Sequence, residues 1–582
     1  MSLSQSAKIP VRSIPVAPDN TFRTPIYGFD EFTTPIPINQ MAQSSMDPRV
    51  AQMLIEGELD LDYANSADLG SYATDHMDVE AQALILRTLG KVFIDKAEYP
   101  RTAKMALRVG WMLQNWYNGV GQDPDVDGSK VVGAVTIGSS EAIHLGMLAH
   151  RRNWEIIWRK RLSSASDPER YRRDKPLFLF ARNAHTCFKK FENYFGSIGI
   201  EVDFLKTPGT FVIEHYTLYP PFVAAVLNST IWGLQTLDHN NDPAHPTPYL
   251  DAFNRICENC GFNPANAADQ ALLQAKTVKE LTFAVAPIVG STFTAEKDDV
   301  AEINAVLEAI AAETYPGTVQ SIFIPMHIDA ASGGFVLPFT DPNNTDWKFQ
   351  KTTDDPNGSS HVQSINVSLH KFGLVYPGLG CVLFANEDVV DDSLIYHITY
   401  LGHSFYDFNV NFSRGSAMVI AGYYNLIRNG LDGYAEIIKN CYENTQYLAA
   451  QIQNIASVGT DRFQVISDNT RFLWVVFKDT LSDTTGTWTL ADLSDELEKS
   501  NWQLPQYQLP DNSSKEPDGP NAMRIVVRQN ISRNKIDLLL ADIKTAVATL
   551  ENSAINYADP AVVAALACKR ERHTQRGPLS GT

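Results

Sequence analysis

From about residue 130 to 385 the sequence alternates short β-rich runs with longer helical patterns, and that alternation admits few folds. KVVGAVTIG leads into SSEAIHLGMLAHRRNWEIIWRKRL, and PLFLFARNAH leads into TCFKKFENYFG. LTFAVAPIVG and SIFIPMHIDAA flank AEKDDVAEINAVLEAIAAE, whose apolar residues recur at helical spacing, and VQSINVSL and GCVLFAN supply further strands. Units of this kind build an α/β fold with a mostly parallel sheet, in which ligands bind beyond the carboxyl ends of the strands. Residues that carry chemistry are therefore expected directly after strands.

The rest of the chain divides around that block. Residues 1–66 read as an extended N-terminal arm and a helix, because Pro10, Pro15, Pro18, Pro25, Pro35 and Pro37 block regular helix in the first forty positions. Residues 67–440 form the large domain, with an insertion at about 207–275 that mixes aromatic, Pro and Asn residues without clear periodicity. Residues 441–582 read as a smaller α+β domain and tail: YENTQYLAAQIQNIASV and KIDLLLADIKTAVATLENS as helices, RFLWVVFK and MRIVVRQ as strands.

Charge and cysteine content narrow the function. A net charge of −19 opposes a broad electropositive surface for nucleic acid or anionic lipid. No apolar run approaches the roughly 20 residues of a membrane helix, and MSLSQSAKIPVRS has no signal core, so the cytoplasm is the expected location. Arg12 and Arg23 hint at an organelle address, but Asp19 and the prolines argue against an amphipathic transit helix. Six cysteines in 582 residues fit a reducing compartment. Cys257 and Cys260 form a lone C-x-x-C with no second pair, and no metal site is indicated.

Four strand-end signals follow in order. Gly138-Ser139-Ser140-Glu141 opens a helix after a β-rich run, where hydroxyls and free N–H groups suit a phosphate, although a plain Ser N-cap reads equally well. His185 lies beyond PLFLFAR, placed to stack on an aromatic cofactor or to serve structurally. Asp329 ends SIFIPMHI before the small residues Ala330-Ala331-Ser332-Gly333-Gly334; it meets a cation such as a pyridinium, or is satisfied by backbone donors or an arginine. Ser368-Leu369-His370-Lys371 ends VQSINV, and a desolvated lysine there can condense with an aldehyde while Ser368 and His370 bind phosphate.

At these residues the chain resembles the group II amino acid decarboxylases, which depend on pyridoxal 5′-phosphate (PLP), and within them the glutamate decarboxylase family. The resemblance is carried by TIGSSEA at 136–142, HIDAASGGF at 327–335, SLHKFGL at 368–374, YLG at 400–402, NFSR at 411–414, MRI at 523–525 and FIDKAEYP at 93–100. It implies a fold-type I, aspartate aminotransferase-like PLP enzyme that works as a homodimer or larger assembly. It also implies PLP bound to Lys371, Asp329 at the pyridine nitrogen, and His185 stacked on the ring. Ser139, Ser140, Ser368 and His370 would hold the phosphate, joined by Ser413 of a second subunit. Arg524 would meet the substrate α-carboxylate, and Tyr400 would act from a mobile loop in protonating the product.

The sequence departs from that pattern where the family holds the distal carboxylate. Ser71-Tyr72, Val92 and Asp95 stand at those places, with Val92 replacing an amide, and Ile288 replaces a threonine. Losing such a hydrogen bond typically costs about 1–3 kcal/mol. Glutamate is thus the leading substrate, with aspartate, cysteine sulfinate, or an apolar or aromatic amino acid as alternatives. Aldehyde formation, carbon–carbon lyase chemistry and a non-catalytic homologue fit less well. The basic ending CKRERHTQRGPLSGT lacks the aromatic anchors of a helix-in-groove target and reads as a solvated tail, with His573 unplaced.

Overall fold

The structure is a computed structural model describing residues 39–41, 43–92, 98–120, 133–164, 169–350, 358–400, 403–457, 460–480, 488–509 and 521–552. The proline-rich arm, the FIDKA run containing Asp95, and the basic tail with His573 lie outside the described residues. Helix α1 (Pro48–Leu59) belongs to one unit, Met1–Ala64; its N-cap Asp47 accepts from Arg49 N. The second unit, Asn65–Thr582, holds both the seven-stranded and the four-stranded sheet.

The expected strands assemble into one seven-stranded sheet. β1 (Gly133–Thr136), β2 (Leu177–Ala181), β3 (Ile198–Val202), β4 (Thr282–Ala286), β5 (Met326–Asp329), β6 (Val362–Ser368) and β7 (Gly380–Phe384) lie in the order β1-β7-β6-β5-β4-β2-β3. All neighbours run parallel except β7, which is antiparallel to both β1 and β6. LFLFA, TFAVA and GCVLF are fully buried, and such unbroken apolar runs are what a sheet covered on both faces requires.

Helices α2 (Val79–Thr88), α3 (Pro100–Trp116) and α4 (Ser139–Ser164) follow in chain order, and α4 lies across β4 to β7. The 207–275 segment, which shows no period to the eye, contains helices Pro220–Asn228, Leu250–Cys260 and Ala267–Ala275. Each has a local reason: prolines at the first turn, a left-handed Gly261 cap, and Asn266 accepting from Ala268 N and Asp269 N. A buried Lys206–Asp242 pair (2.8 Å) fixes the segment's base.

An antiparallel ribbon follows β7, made of β8 (Tyr396–Tyr400) and β9 (His403–Asp407). The sequence places a helix after about residue 440; it belongs instead to a longer one, Ala417–Gln453, broken at Gly430 (φ 57°), where a side chain would be strained. β10 (Ala456–Ser457) and β11 (Thr460–Asp461) form a short ribbon. β12 (Phe463–Val465), β13 (Trp474–Asp479), β14 (Gln506–Gln508) and β15 (Asn521–Val526) then make an antiparallel sheet ordered β12-β13-β15-β14. Helix Arg533–Glu551 closes the described chain, with Ser532 as its cap.

Two connections position the site. Segment 65–74 is tied to the second sheet: Leu69 N donates to Gln503 O, Val526 N to Leu69 O, and buried Arg528 to the carbonyls of Asn65, Asp68 and Ala73. The long helix holds the chain after Lys371, with Tyr434 Oη donating to Gly373 O and Asn425 Nδ2 to Leu374 O.

Candidate active site

Lys371 lies three residues beyond the end of β6. Its side chain keeps some accessible surface, yet protein surrounds it, so its ammonium is poorly hydrated. Burial lowers its pKa to about 8; Asp329 opposes the shift and Arg524 adds to it. Nζ donates to Ser332 Oγ (2.9 Å) and stands 5.1 Å from the centre of the Tyr72 ring. An amine held by a hydroxyl and an aromatic face, without a carboxylate partner among the described residues, is suited to losing its proton and attacking a carbonyl.

Asp329 ends β5 and is buried. Ala331 N (3.1 Å) and Asn366 Nδ2 (3.0 Å) both donate to Oδ1, so Oδ2 is the oxygen left to meet a further donor. Among the described residues, no arginine or lysine contact supplies the expected cation. Ile288 pairs with Asp329 across the sheet, which places the family's threonine position beside this carboxylate.

The residues expected to hold a phosphate converge from two elements. Ser139 starts α4 and its Oγ lies 2.5 Å from Ser368 Oγ at the end of β6, while Ser140 is exposed beside it. His370 sets Nδ1 against Leu379 O (2.9 Å), and burial lowers its pKa to about 4. A carbonyl accepts only, so the proton sits on Nδ1 and Nε2 carries a lone pair. Two hydroxyls at the first turn of a 26-residue helix, with a second strand end beside them, fit a phosphate ester. The buried amine and Asp329 Oδ2 likewise fit an aldehyde and a ring nitrogen. The residues present thus fit PLP.

His185 lies four residues after β2 and is half-buried; its Nδ1 accepts from Cys187 N (3.2 Å), leaving the proton on Nε2. Burial lowers its pKa, and Asp329 and Lys371 both act on it, so these three groups are neighbours. Arg524 on β15 donates through Nε and Nη2 to Gly70 O and through Nη1 to Thr292 O, with its guanidinium 4.7 Å from the Tyr72 ring centre. The Tyr72 and Tyr507 hydroxyls also lie against this guanidinium, whose planar fork is of the kind matched to a carboxylate. Tyr72 Oη donates to Thr292 O, and its ring meets Trp474 edge-on (5.2 Å). Ser71 Oγ is occupied by Ala73 N.

Other expected residues make no recorded contact with Lys371 or Asp329 among the described residues. Tyr400 is the last residue of β8, paired in register with His403, so its backbone is in a ribbon where the sequence suggests a loop. Ser413 is exposed. Val92 is 44% exposed and pairs with Gly415, which groups it with the Ser413 segment. A groove of about 990 Å³, lined by Lys206, Phe211, Asp242, Glu296 and Arg471 among others, contains none of these site residues. The described residues contain no metal-binding cluster and no helix long and apolar enough to cross a membrane.

Sequence reasoning missed several neighbours. Ser332 is the hydrogen-bond partner of Lys371, and Glu141 accepts from Ile137 N, Val410 N and Asn411 N, tying the Ser413 segment to the start of α4. Asn366 was readable: Ser364, Asn366 and Ser368 alternate with Ile365, Val367 and Leu369, which aims the polar set at one face.

Comparison with known proteins agrees with this geometry. The pyridoxal-dependent decarboxylase conserved domain matches residues 260–479. The chain is 31% identical to a glutamate decarboxylase of Petunia hybrida over 519 residues, 89% of this chain and 84% of that protein. It is 29% identical to a glutamate decarboxylase of Lactococcus lactis over 537 residues, 92% and 95% of the two chains. Among solved structures, a glutamate decarboxylase of Lactobacillus brevis superposes with a TM-score of 0.68 at 27% identity, covering 91% of this chain and 99% of that one.

Proposed function

Because the chain belongs to the glutamate decarboxylase family of pyridoxal-dependent decarboxylases, it is a PLP-dependent carboxy-lyase, and we propose that it converts L-glutamate to 4-aminobutanoate and CO2. The observation that carries the chemistry is Lys371, a poorly hydrated amine at a strand end with Asp329 and the Arg524 fork beside it. When bound, PLP supplies an electron sink for the pair left behind as CO2 departs.

The chain's own residues have distinct parts in this reading. Lys371 holds the cofactor and yields to the substrate amine; Asp329 Oδ2 accepts from the ring nitrogen; His185 covers the ring. Ser139, Ser140, Ser368 and His370 take the phosphate, with Ser413 contributed by a second subunit. Arg524 holds the α-carboxylate, and Ser71, Tyr72 and Asp95 are the proposed contacts to the rest of the substrate. Tyr400 delivers the proton to the former α-carbon, and the ribbon that bears it excludes water when it covers the site.

We read the working unit as a homodimer. Val79 and Leu86 on α2, Leu89 at its C-cap, and Ile427 and Leu431 on the long helix packed against it are exposed, as are Val410 and Phe412 beside Ser413. An apolar surface around that serine supports a second copy there. The proposed compartment is the cytoplasm: Cys187, Cys257, Cys260, Cys381 and Cys441 are buried thiols outside any disulfide.

Purified enzyme offered glutamate, aspartate, cysteine sulfinate, and aromatic and aliphatic amino acids, with amine and CO2 scored, tests the substrate. Amine from glutamate alone is the expected result. A second reading, an aromatic or apolar substrate, is favoured by the rings around Tyr72: Trp474, and Phe372 stacked on it at 6.0 Å. Amine from that class alone would establish it in place of glutamate.

The His370 tautomer gives a further prediction. Nε2 has no proton to offer a phosphate dianion, so binding must take up one proton, carried by the imidazole or by the phosphate. Free His370 has a pKa of about 4, whereas the bound pair holds its proton to higher pH, so affinity falls as pH rises. With pyridoxamine 5′-phosphate, which cannot condense with Lys371, affinity should weaken by up to about tenfold per pH unit above the phosphate pKa of ~6. His370→Gln, which donates without titrating, should flatten that slope; an equally steep slope in the variant would remove His370 from the phosphate site.

A further inference from the structure

Behind Asp329 lies a line of buried polar side chains that binding and catalysis, as assigned above, do not use. His327 and Asp329 alternate on β5, Ser364 and Asn366 on β6, and the register pairs His327 with Ser364 and Asp329 with Asn366. Period-two alternation sends all four side chains to one face, where α4 packs and contributes His150. His327, Ser364 and Asn366 have no accessible surface, and His150 is 2% exposed. Ser364 Oγ lies 2.7 Å from His150 Nε2 and 2.6 Å from His327 Nδ1. Asn366 Nδ2 donates to Asp329 Oδ1 (3.0 Å).

Counting protons gives this line a direction. Burial holds both imidazoles neutral, with His150 lowered to about 3 and His327 also lowered. Ser364 has one hydroxyl proton for two ring nitrogens, so it donates to one and accepts from the other. At the remaining joint, His327 Nε2 and Asn366 Oδ1 are both buried and neither makes a hydrogen bond within bonding distance, while the Asn366 side chain is near enough to the His327 ring to raise its pKa, as an acceptor does. If Ser364 donated to His150, His327 Nε2 would be bare and two buried acceptors would face each other, at a cost of about 1–3 kcal/mol per unpaired group. The other direction puts a proton on Nε2 and gives it Asn366 Oδ1 as the acceptor it can reach by a small side-chain adjustment.

We propose that His150, Ser364, His327 and Asn366 form a one-way hydrogen-bonded chain, every donor pointing toward Asp329, that turns Asp329 Oδ2 to the cofactor's ring nitrogen and keeps that nitrogen protonated. These are positioning residues. The packing reserves the space they need: a Cβ at Gly146 on α4 would sit 2.5 Å from His327 Cε1 and Nδ1. The inference rests on the PLP reading.

Three variants test it: Asn366→Leu, which removes the last donor; Ser364→Ala, which cuts the middle; and Ser364→Thr, which restores the hydroxyl. Each is loaded with PLP labelled with 15N in the ring, and the nitrogen chemical shift, PLP dissociation constant and apoprotein melting temperature are read. In the wild type the shift should be that of a protonated pyridine. In Asn366→Leu it should move toward the unprotonated value with PLP binding roughly tenfold or more weaker, in Ser364→Ala by a smaller step, and Ser364→Thr should restore it. Folded Asn366→Leu and Ser364→Ala with the wild-type shift would overturn the proposal. So would loss of melting temperature in proportion to PLP affinity with no change of shift, which marks a merely structural role. Failure of the wild type to bind PLP would instead overturn the cofactor assignment, so the two failures are distinguishable.

Discussion

Lys371→Ala is expected to lower amine formation at least about 10³-fold and to remove the protein-bound visible absorption of the cofactor. In the proposed function Nζ is the reacting atom, and alanine would leave nothing within reach of an aldehyde at the end of β6. Lys371→Arg separates the roles of charge and nucleophile, because a guanidinium stays protonated and cannot condense. It should lose as much activity as the alanine variant; near-normal turnover with arginine would show that the lysine acts only as a charge. The apoprotein adds a second readout. A pKa of about 8 means that the neutral, reactive amine grows as pH rises, so the rate of covalent PLP capture should climb with pH and level off above about 8. A plateau delayed to the ordinary lysine range would contradict the burial argument.

Asp329→Asn carries the next largest effect. The amide keeps the shape but removes the charge facing the ring nitrogen, and losing one preorganised electrostatic contact of this kind costs on the order of 10²–10³ in kcat. Cofactor attachment should survive, because Lys371 and the phosphate residues are untouched. Charge can then be supplied from the other side. PLP methylated at the ring nitrogen bears a permanent positive charge, and it should recover part of the lost turnover in Asp329→Asn while giving the wild type no gain. If methylated and ordinary PLP perform alike in the variant, the role assigned to Asp329 is wrong.

Most of this was legible because strands buried on both faces write themselves as unbroken apolar runs, and the residues just after them must lie at the ligand edge of the sheet. Gly138-Ser139-Ser140, His185, Asp329 and Ser368-Leu369-His370-Lys371 were found that way. The 207–275 segment was less readable. Its helices are short and rely on caps and on buried Lys206–Asp242 pairing, which leave no strong period. The break at Gly430 was also missed, since one glycine within apolar helical spacing does not announce a kink.

The sequence by itself determined the sheet's mostly parallel class, the placing of polar residues at strand ends and the family. Each of these depends on residue type and on spacing along the chain. Only the tertiary structure decided that Ser332 is the hydroxyl on Lys371, that Arg524 reaches Gly70 and Thr292 across the Tyr72 ring, and that Ser139 meets Ser368. It alone decided that His150 stands behind Asp329, through Ser364 214 residues away. Those contacts join positions tens to hundreds of residues apart, and a hydrogen bond over such a separation depends on strand order, register and helix packing, which no local pattern records.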